Sequence, residues 1–489
     1  MYSFLLSLAA LLLGYFLYGW FVEKIFGPDP ARPTPAISMA DGVDYVKMPS
    51  WRVFMVQFLN IAGTGPIFGA IMGAKFGPSS YLWIVFGCIF AGAVHDYLTG
   101  MLSVRNGGAG LPVLVGKYLG QGTRRVLGIF SILVLLLVGT VFVYSPALIL
   151  GDIAGDGSTT AIMIWVLVIF LYYILASVLP IDKVVGKIYP VFAFALLFMA
   201  VALMVCLLLK WPSIPEIWDG LGNLGQEKGL LKGQPVFPCL FITIACGAVS
   251  GFHATQSPMM ARCIQNEKLG RPVFYGAMIT EGIVALIWAA VSSYFFFDGG
   301  AEEVGSTIAA SAPKVVAAVS MKWLGLVGGI LAVLGVVVAP ITSGDTAFRS
   351  ARLIIADYLK LDQKPILKRL SVCIPMFVLA GLLLWFNVED EDGFNVIWRY
   401  FGWANQTLAA FALWTVASYL SKNARGVRYL VAVIPAAFMT AVCVTYICVA
   451  SIGLNLPLTW NWPIGISVFV LSIIIFFLLR RRNRKNAKE

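Results

Sequence analysis

Two histidines are all that this 489-residue chain contains, and each sits in a polar patch within an apolar stretch. His95 stands beside Asp96, and His253 lies in Ser250-Gly251-Phe252-His253-Ala254-Thr255-Gln256-Ser257-Pro258. Imidazole titrates near neutrality, so either ring can relay a proton. The plainer alternative is a hydrogen-bonded packing histidine, and for His95 that means pairing with Asp96. Glu281 follows Thr280 about ten residues into another apolar run and needs a partner, a proton or a cavity. Asp345, in Pro340-Ile341-Thr342-Ser343-Gly344-Asp345-Thr346, can pair with Arg349 as an i,i+4 salt bridge. Arg399 and Asn405-Gln406-Thr407 interrupt a further run. A metal site on His95, His253 and Asp96 has no ligand-spacing signal behind it, and no metal or other cofactor is expected beyond a coupling ion. There is no GxSxG or HExxH arrangement to support an enzyme.

The elements that must hold these groups are set by composition. Sixty per cent of the residues are hydrophobic and only 12% charged, with a mean hydropathy of +0.87. A water-soluble fold could not cover that much apolar surface, and a disordered chain is excluded equally. The chain therefore reads as an all-α polytopic membrane protein, with the lipid bilayer as its first partner. Apolar runs lie near 3–22, 52–73, 79–103, 126–150, 160–179, 187–209, 236–257, 272–297, 322–342, 366–387, 394–420, 428–451 and 461–480, thirteen in all. The first lacks a basic leading segment and is expected to be retained as a span.

The net charge of +11 fits cytoplasmic loops better than nucleic acid, for which no motif is present. With the N-terminus outside and the C-terminus inside, 28 of the 35 Lys and Arg residues fall on inner segments and six on outer loops. Glu389-Asp390-Glu391-Asp392 falls on an outer loop and Arg480-Arg481-Arg482 in the inner tail. The eight cysteines show no paired spacing and read as small core residues. Arg105 to Gly110 reads as a membrane-surface turn, and Thr346 to Asp357 as an amphipathic helix on the cytoplasmic surface.

Two runs cannot be continuous helices. The second contains Gly63-Thr64-Gly65-Pro66, where Pro66 lacks an N–H and suits the start of a new half-helix. The seventh passes from a clean apolar run into Gly247 and the polar patch around His253, which places a break near 247–257. Irregular backbone is tolerated in a bilayer only where protein or a cavity satisfies it. Two breaks five spans apart run in opposite directions, as in an inverted repeat around a midplane site. This is the LeuT-type 5+5 plan. It divides the chain into 1–50 (first helix and cytoplasmic loop), 51–210 and 211–422 (the two repeats), and 423–489 (two peripheral helices and a basic tail). Half-helix N–H groups suit a carboxylate and half-helix carbonyls a cation. Gly63, Thr64, Gly65, Ser250, Gly251 and His253 are therefore expected to line the substrate site. Asp96, His253 and Glu281 are the candidates for coupling to protons, and Asp345 is a further candidate for ion coupling. Thr342 and Ser343, near the carbonyls of the first break, are the candidates for sodium, unless they only bond within and between helices.

Gln57 to Ile67, Gly92-Ala93-Val94-His95-Asp96, Ser250 to Pro258, Pro340 to Arg349 and Tyr400-Phe401-Gly402-Trp403-Ala404-Asn405-Gln406 resemble the carbon starvation protein A (CstA) family in order over roughly 30–420. The chain is short beside the long enterobacterial members. The resemblance implies the amino acid–polyamine–cation transporter fold and uptake of short peptides or pyruvate during carbon starvation. The expectation is a symporter in a bacterial inner membrane that carries a small peptide or small carboxylate. A nutrient sensor with the transporter fold and an intramembrane enzyme are the alternatives. Substrate, coupling ion and oligomeric state stay open at this level.

Overall fold

The computed structural model describes residues 1–42, 44–153, 157–178, 181–361, 365–389 and 393–486. All thirteen apolar runs are helical. They are α1 (Tyr2–Phe26), α2a (Ser50–Ile61) with α2b (Gly65–Ala74), α3 (Ser79–Arg105), α4 (Gln121–Ile153), α5 (Thr159–Val178) and α6 (Ile181–Lys210). The seventh comprises α7a (Val236–Leu240 with Phe241–Thr243) and α7b (Gly251–Ala261). Then follow α8 (Glu267–Phe297), α9 (Ala312–Leu359), α10 (Ile366–Glu389), α11 (Gly393–Asn423), α12 (Leu430–Val449) and α13 (Asn461–Asn486). Among the described residues, ten helices are long and apolar enough to cross a membrane, and the bent pair α2a–α2b makes eleven. The expected seventh and eleventh spans are helical but fall outside that group, α7 because it is broken.

Burial separates a centre from a periphery. The spanning windows of α3 and α8 are 83% buried, whereas that of α13 is 6% and that of α1 is 28% buried. The first and last helices are thus largely exposed, and so is α5, whose window is 22% buried. Leu171, Phe194, Leu382 and Leu478 lie exposed on outer helices, the surface an apolar solvent would cover. The loops segregate to two ends. At one, the N-terminal amine meets Glu216, Lys210 meets Glu303 at 2.7 Å, and the Ser213 N–H donates to Asp298 at 2.8 Å. At the other, Arg105 holds Glu267 at 3.0 Å, Arg124 holds Asp357 at 2.7 Å, and the Thr34 hydroxyl donates to the Ile264 carbonyl at 2.6 Å. These are the two sets of loops that the basic-residue count assigns to opposite sides. The acidic loop reading falls on Glu389 and on Asp390 to Asp392, and those last three lie outside the described residues.

Two expectations need correction. The segment Thr346 to Asp357 is not a separate surface helix. It continues α9, and Phe348, Arg349 and Arg352 are buried. No helix breaker separates Asp345 from Asp357, so the helix runs on. Asp345 also meets Arg349 at 3.7 Å and accepts from the Tyr189 hydroxyl at 3.0 Å, which offsets part of the desolvation. The second break begins at Ile244 and ends at Ser250, earlier than 247–257, and Pro258 lies inside α7b. The first break falls at Ala62–Thr64, and α2a and α2b meet at 55°.

Candidate functional site

The two breaks lie against each other. A Cβ on Gly65 would stand 2.3 Å from Cys246 Sγ, and one on Gly247 would stand 3.7 Å from Pro66 Cα. Only residues without side chains allow this approach. A Cβ on Gly63 would meet the Phe142 ring at 2.6 Å. One on Gly251 would meet the backbone of α11 at Ala409 N, 2.3 Å away. Gly251 is therefore packed on α11 and does not face an open cavity. Thr64 is fully buried, and its hydroxyl has no partner among the described residues.

Asn405 of α11 organises the second break. Its Oδ1 accepts the Phe252 N–H at 2.7 Å and the Ser250 hydroxyl at 3.2 Å. It caps α7b from another helix and so fixes where α7b starts. Asn405 was legible only as part of a polar patch, because the sequence does not say which helix end that patch will face. The cap occupies one of the half-helix N–H groups expected to receive a carboxylate.

Next to the breaks, the chain's two histidines converge on one carboxylate. Asp96 Oδ1 lies 2.7 Å from His95 Nδ1, and Oδ2 lies 2.8 Å from His253 Nδ1. His253 Nε2 faces Glu281 Oε2 at 3.4 Å. All four side chains are fully buried, and His253 Nε2 and both Glu281 oxygens have no hydrogen-bond partner among the described residues. Asp96 fixes both Nδ1 atoms as donors, which turns the two Nε2 atoms into proton acceptors or carriers. A carboxylic acid on Glu281 can give its proton to His253 Nε2. An imidazolium can give it back. Cys246 Sγ, His253 Nε2 and a Glu281 oxygen also lie within 4.8 Å of one another, close enough to hold a cation larger than a proton. His95 stands behind Asp96, so the pairing of His95 and His253 in one metal site does not form.

The remaining expected residues divide. The Ser343 hydroxyl donates to the Leu59 carbonyl at 3.2 Å, at the end of α2a, where the sequence placed it. The Thr342 hydroxyl turns instead to its own helix, donating to the Ala339 carbonyl at 2.8 Å. Thr346 reaches Asn60 Oδ1 at 3.2 Å. Asp345 sits apart from the imidazole cluster, held by Tyr189 and Arg349.

Above α7a lies a cavity of about 840 Å³ lined by Lys232, Gln234, Thr243, Trp398, Arg399 and Tyr446 among others. Its described lining carries two cationic side chains and no carboxylate. Arg399, an isolated charge in the sequence, thus lines a cavity beside α7a.

The profile of the family described as "Carbon starvation protein CstA" matches residues 1–164, 152–326 and 297–446. An "Uncharacterized membrane protein" of Haemophilus influenzae is 45% identical over 60% of this chain and 91% of its own. "Peptide transporter CstA" of Escherichia coli is 28% identical over 88% of this chain and 78% of its own. "Pyruvate/proton symporter BtsT" of the same organism is 29% identical over 66% of this chain and 52% of its own. Among solved structures, an Eremococcus coleocola manganese transporter superposes with a TM-score of 0.56 at 14% identity, covering 91% of this chain and 99% of that one. A Na+-coupled sialic acid symporter superposes at 0.51 with 13% identity, covering 96% and 95%. At such identities these two speak to the fold alone, and the fold is that of LeuT-type transporters.

Proposed function

Because the chain belongs to the carbon starvation protein CstA family, we propose that it is a secondary active transporter importing a small carboxylate-bearing nutrient, a short peptide or a pyruvate-like acid, in symport with protons. The end carrying Arg105, Arg262 and the basic tail faces the cytoplasm, and the membrane is a bacterial inner membrane. The observation that carries the coupling reading is the buried chain Asp96–His253–Glu281 beside the two breaks.

Lys232 and Arg399 draw the carboxylate into the outer vestibule. Rocking of one helix set against the other opens the breaks to it. The Thr64 hydroxyl and the backbone at Gly63 and Gly65 receive it there. His253 and Glu281 take up a proton from the outer side with the substrate and release it inside, where the proton concentration is lower. His253 lies on α7b, the half-helix that borders the substrate, so its charge and substrate occupancy act on the same element. Asp96 positions His253, and His95 positions Asp96. Asp345 and Arg349 form an internal pair on α9 and carry no coupling proton in this scheme.

Uptake into proteoliposomes under separate proton and sodium gradients tests this, with labelled pyruvate and a labelled dipeptide side by side. Proton-driven accumulation of either substrate supports the proposal. Accumulation under sodium alone replaces the imidazole cluster with Ser343 and the Leu59 carbonyl as the coupling site. No accumulation under either gradient removes the carrier reading.

A further inference from the structure

Arg352 is the one buried guanidinium in the described structure whose Nε and Nη1 are both sealed from solvent without a partner. It is 4% exposed and takes part in none of the ion pairs of the described residues. A buried charge left alone is among the most costly features a fold can carry. Its neighbours make this worse. Arg349 and Arg369 both act on it electrostatically, and so do the carboxylates of Asp345 and Asp44, but neither forms a salt bridge with it among the described residues. Asp345 is engaged by Tyr189 and Arg349.

The helix geometry says which way this charge faces. On α9, the Ser350 hydroxyl donates to the Thr255 carbonyl, so that face meets α7b and the transport site. Arg349 Nη2 donates to the Ala176 carbonyl at the end of α5, away from it. Arg352 lies three residues beyond Arg349 and shares its side of the helix. Cys373 and Arg369, one turn apart on α10, border it there. The outer face of α10 exposes Leu367, Ile374 and Val378, at 80%, 59% and 60%. Arg352 thus faces α10 at the end of the bundle that carries the basic loops.

We propose that Arg352, where α9 faces α10, binds a phosphate anion, and that its source is the headgroup of an anionic phospholipid of the inner leaflet. A guanidinium fork matches a phosphodiester in geometry and charge. Occupancy neutralises a charge wedged between the long helix α9 and the peripheral helix α10, so lipid composition would set how firmly those two are held.

The test uses the full chain and the Arg352→Gln variant, each reconstituted in phosphatidylcholine alone, in phosphatidylcholine with phosphatidylglycerol, and in phosphatidylcholine with inorganic phosphate added. Thermal unfolding is followed, and native mass spectrometry counts retained lipid. The unaltered chain is expected to retain about tenfold more phosphatidylglycerol than Arg352→Gln, the worth of one charge-assisted hydrogen bond. Phosphatidylglycerol should also raise its unfolding temperature and leave that of the variant unmoved. Equal retention by both proteins overturns the site. A rise with inorganic phosphate that matches the rise with phosphatidylglycerol overturns the lipid as source. If Arg352→Gln does not fold, the unaltered chain decides: an identical unfolding temperature in the two lipids refutes the proposal. Arg352→Lys, which keeps the charge but loses the fork, should then retain an intermediate amount of lipid, and retention equal to that of the unaltered chain refutes the fork.

Discussion

Replacing Glu281 by glutamine tests the coupling reading most directly. Gln has nearly the same shape and can still hydrogen-bond to His253 Nε2, which lies 3.4 Å from the carboxylate in the native chain. It cannot take up or release a proton near neutral pH. The side chain is fully buried, so no water can replace what it loses. One proton moved down a gradient of one pH unit supplies about 1.4 kcal/mol, enough for about tenfold accumulation of the substrate. The unaltered chain should reach that level in proteoliposomes with the acid side outside, whereas Glu281→Gln should stop at equal concentrations. Counterflow exchange should survive, because binding and rocking need no net proton movement. The same vesicles separate the two substrate classes. A monovalent carboxylate entering with one proton moves no net charge, so a membrane potential should not drive it. A zwitterionic peptide with one proton moves one charge, and 100 mV contributes about 2.3 kcal/mol, or roughly fiftyfold. If Glu281→Gln still accumulates substrate about tenfold with an unaltered pH dependence, Glu281 is not the proton carrier and the argument from the imidazole cluster fails.

Gly65→Ala should abolish uptake while the protein still inserts, since its Cβ would stand 2.3 Å from Cys246 Sγ; adding Cys246→Gly should restore part of the rate, and full activity of Gly65→Ala alone would show that the breaks do not need this contact. Asn405→Ala removes the cap on α7b and should lower stability by about 1–2 kcal/mol, read as a lower unfolding temperature, with weaker substrate affinity; an unchanged affinity would separate the cap from the substrate site. Ser343→Ala loses one hydrogen bond to the Leu59 carbonyl and should slow proton-driven uptake less than about fivefold; complete loss that sodium modulates would place a sodium ion there. Arg399→Gln should raise the KM for a carboxylate substrate and weaken its salt dependence with little change in kcat, and a fall in kcat alone would remove the vestibule from the entry route.

Much of this protein was written in its residue order. Apolar runs of about 20 residues separated by basic or neutral loops fix the helices and their alternation, because a bilayer leaves the backbone no other choice. Gly63-Thr64-Gly65-Pro66 fixes the first break by the same local rule, since Pro66 cannot continue α2a and is suited to start α2b. The second break was less well placed. Its end at Ser250 is set by Asn405, which lies 155 residues later, and no local pattern carries that information. The same holds for the continuation of α9 through Arg349 and Arg352, where charges that read as a water-facing stripe are buried. The individual groups His95, Asp96, His253 and Glu281 stand out in sequence as costly in a membrane. That the four form one chain, His95–Asp96–His253–Glu281, and that Asp345 does not join it, was decided by how α3, α7b and α8 pack. Side-chain type and local spacing determine what a residue can do; only the packing of distant helices determines which other residue it does it with.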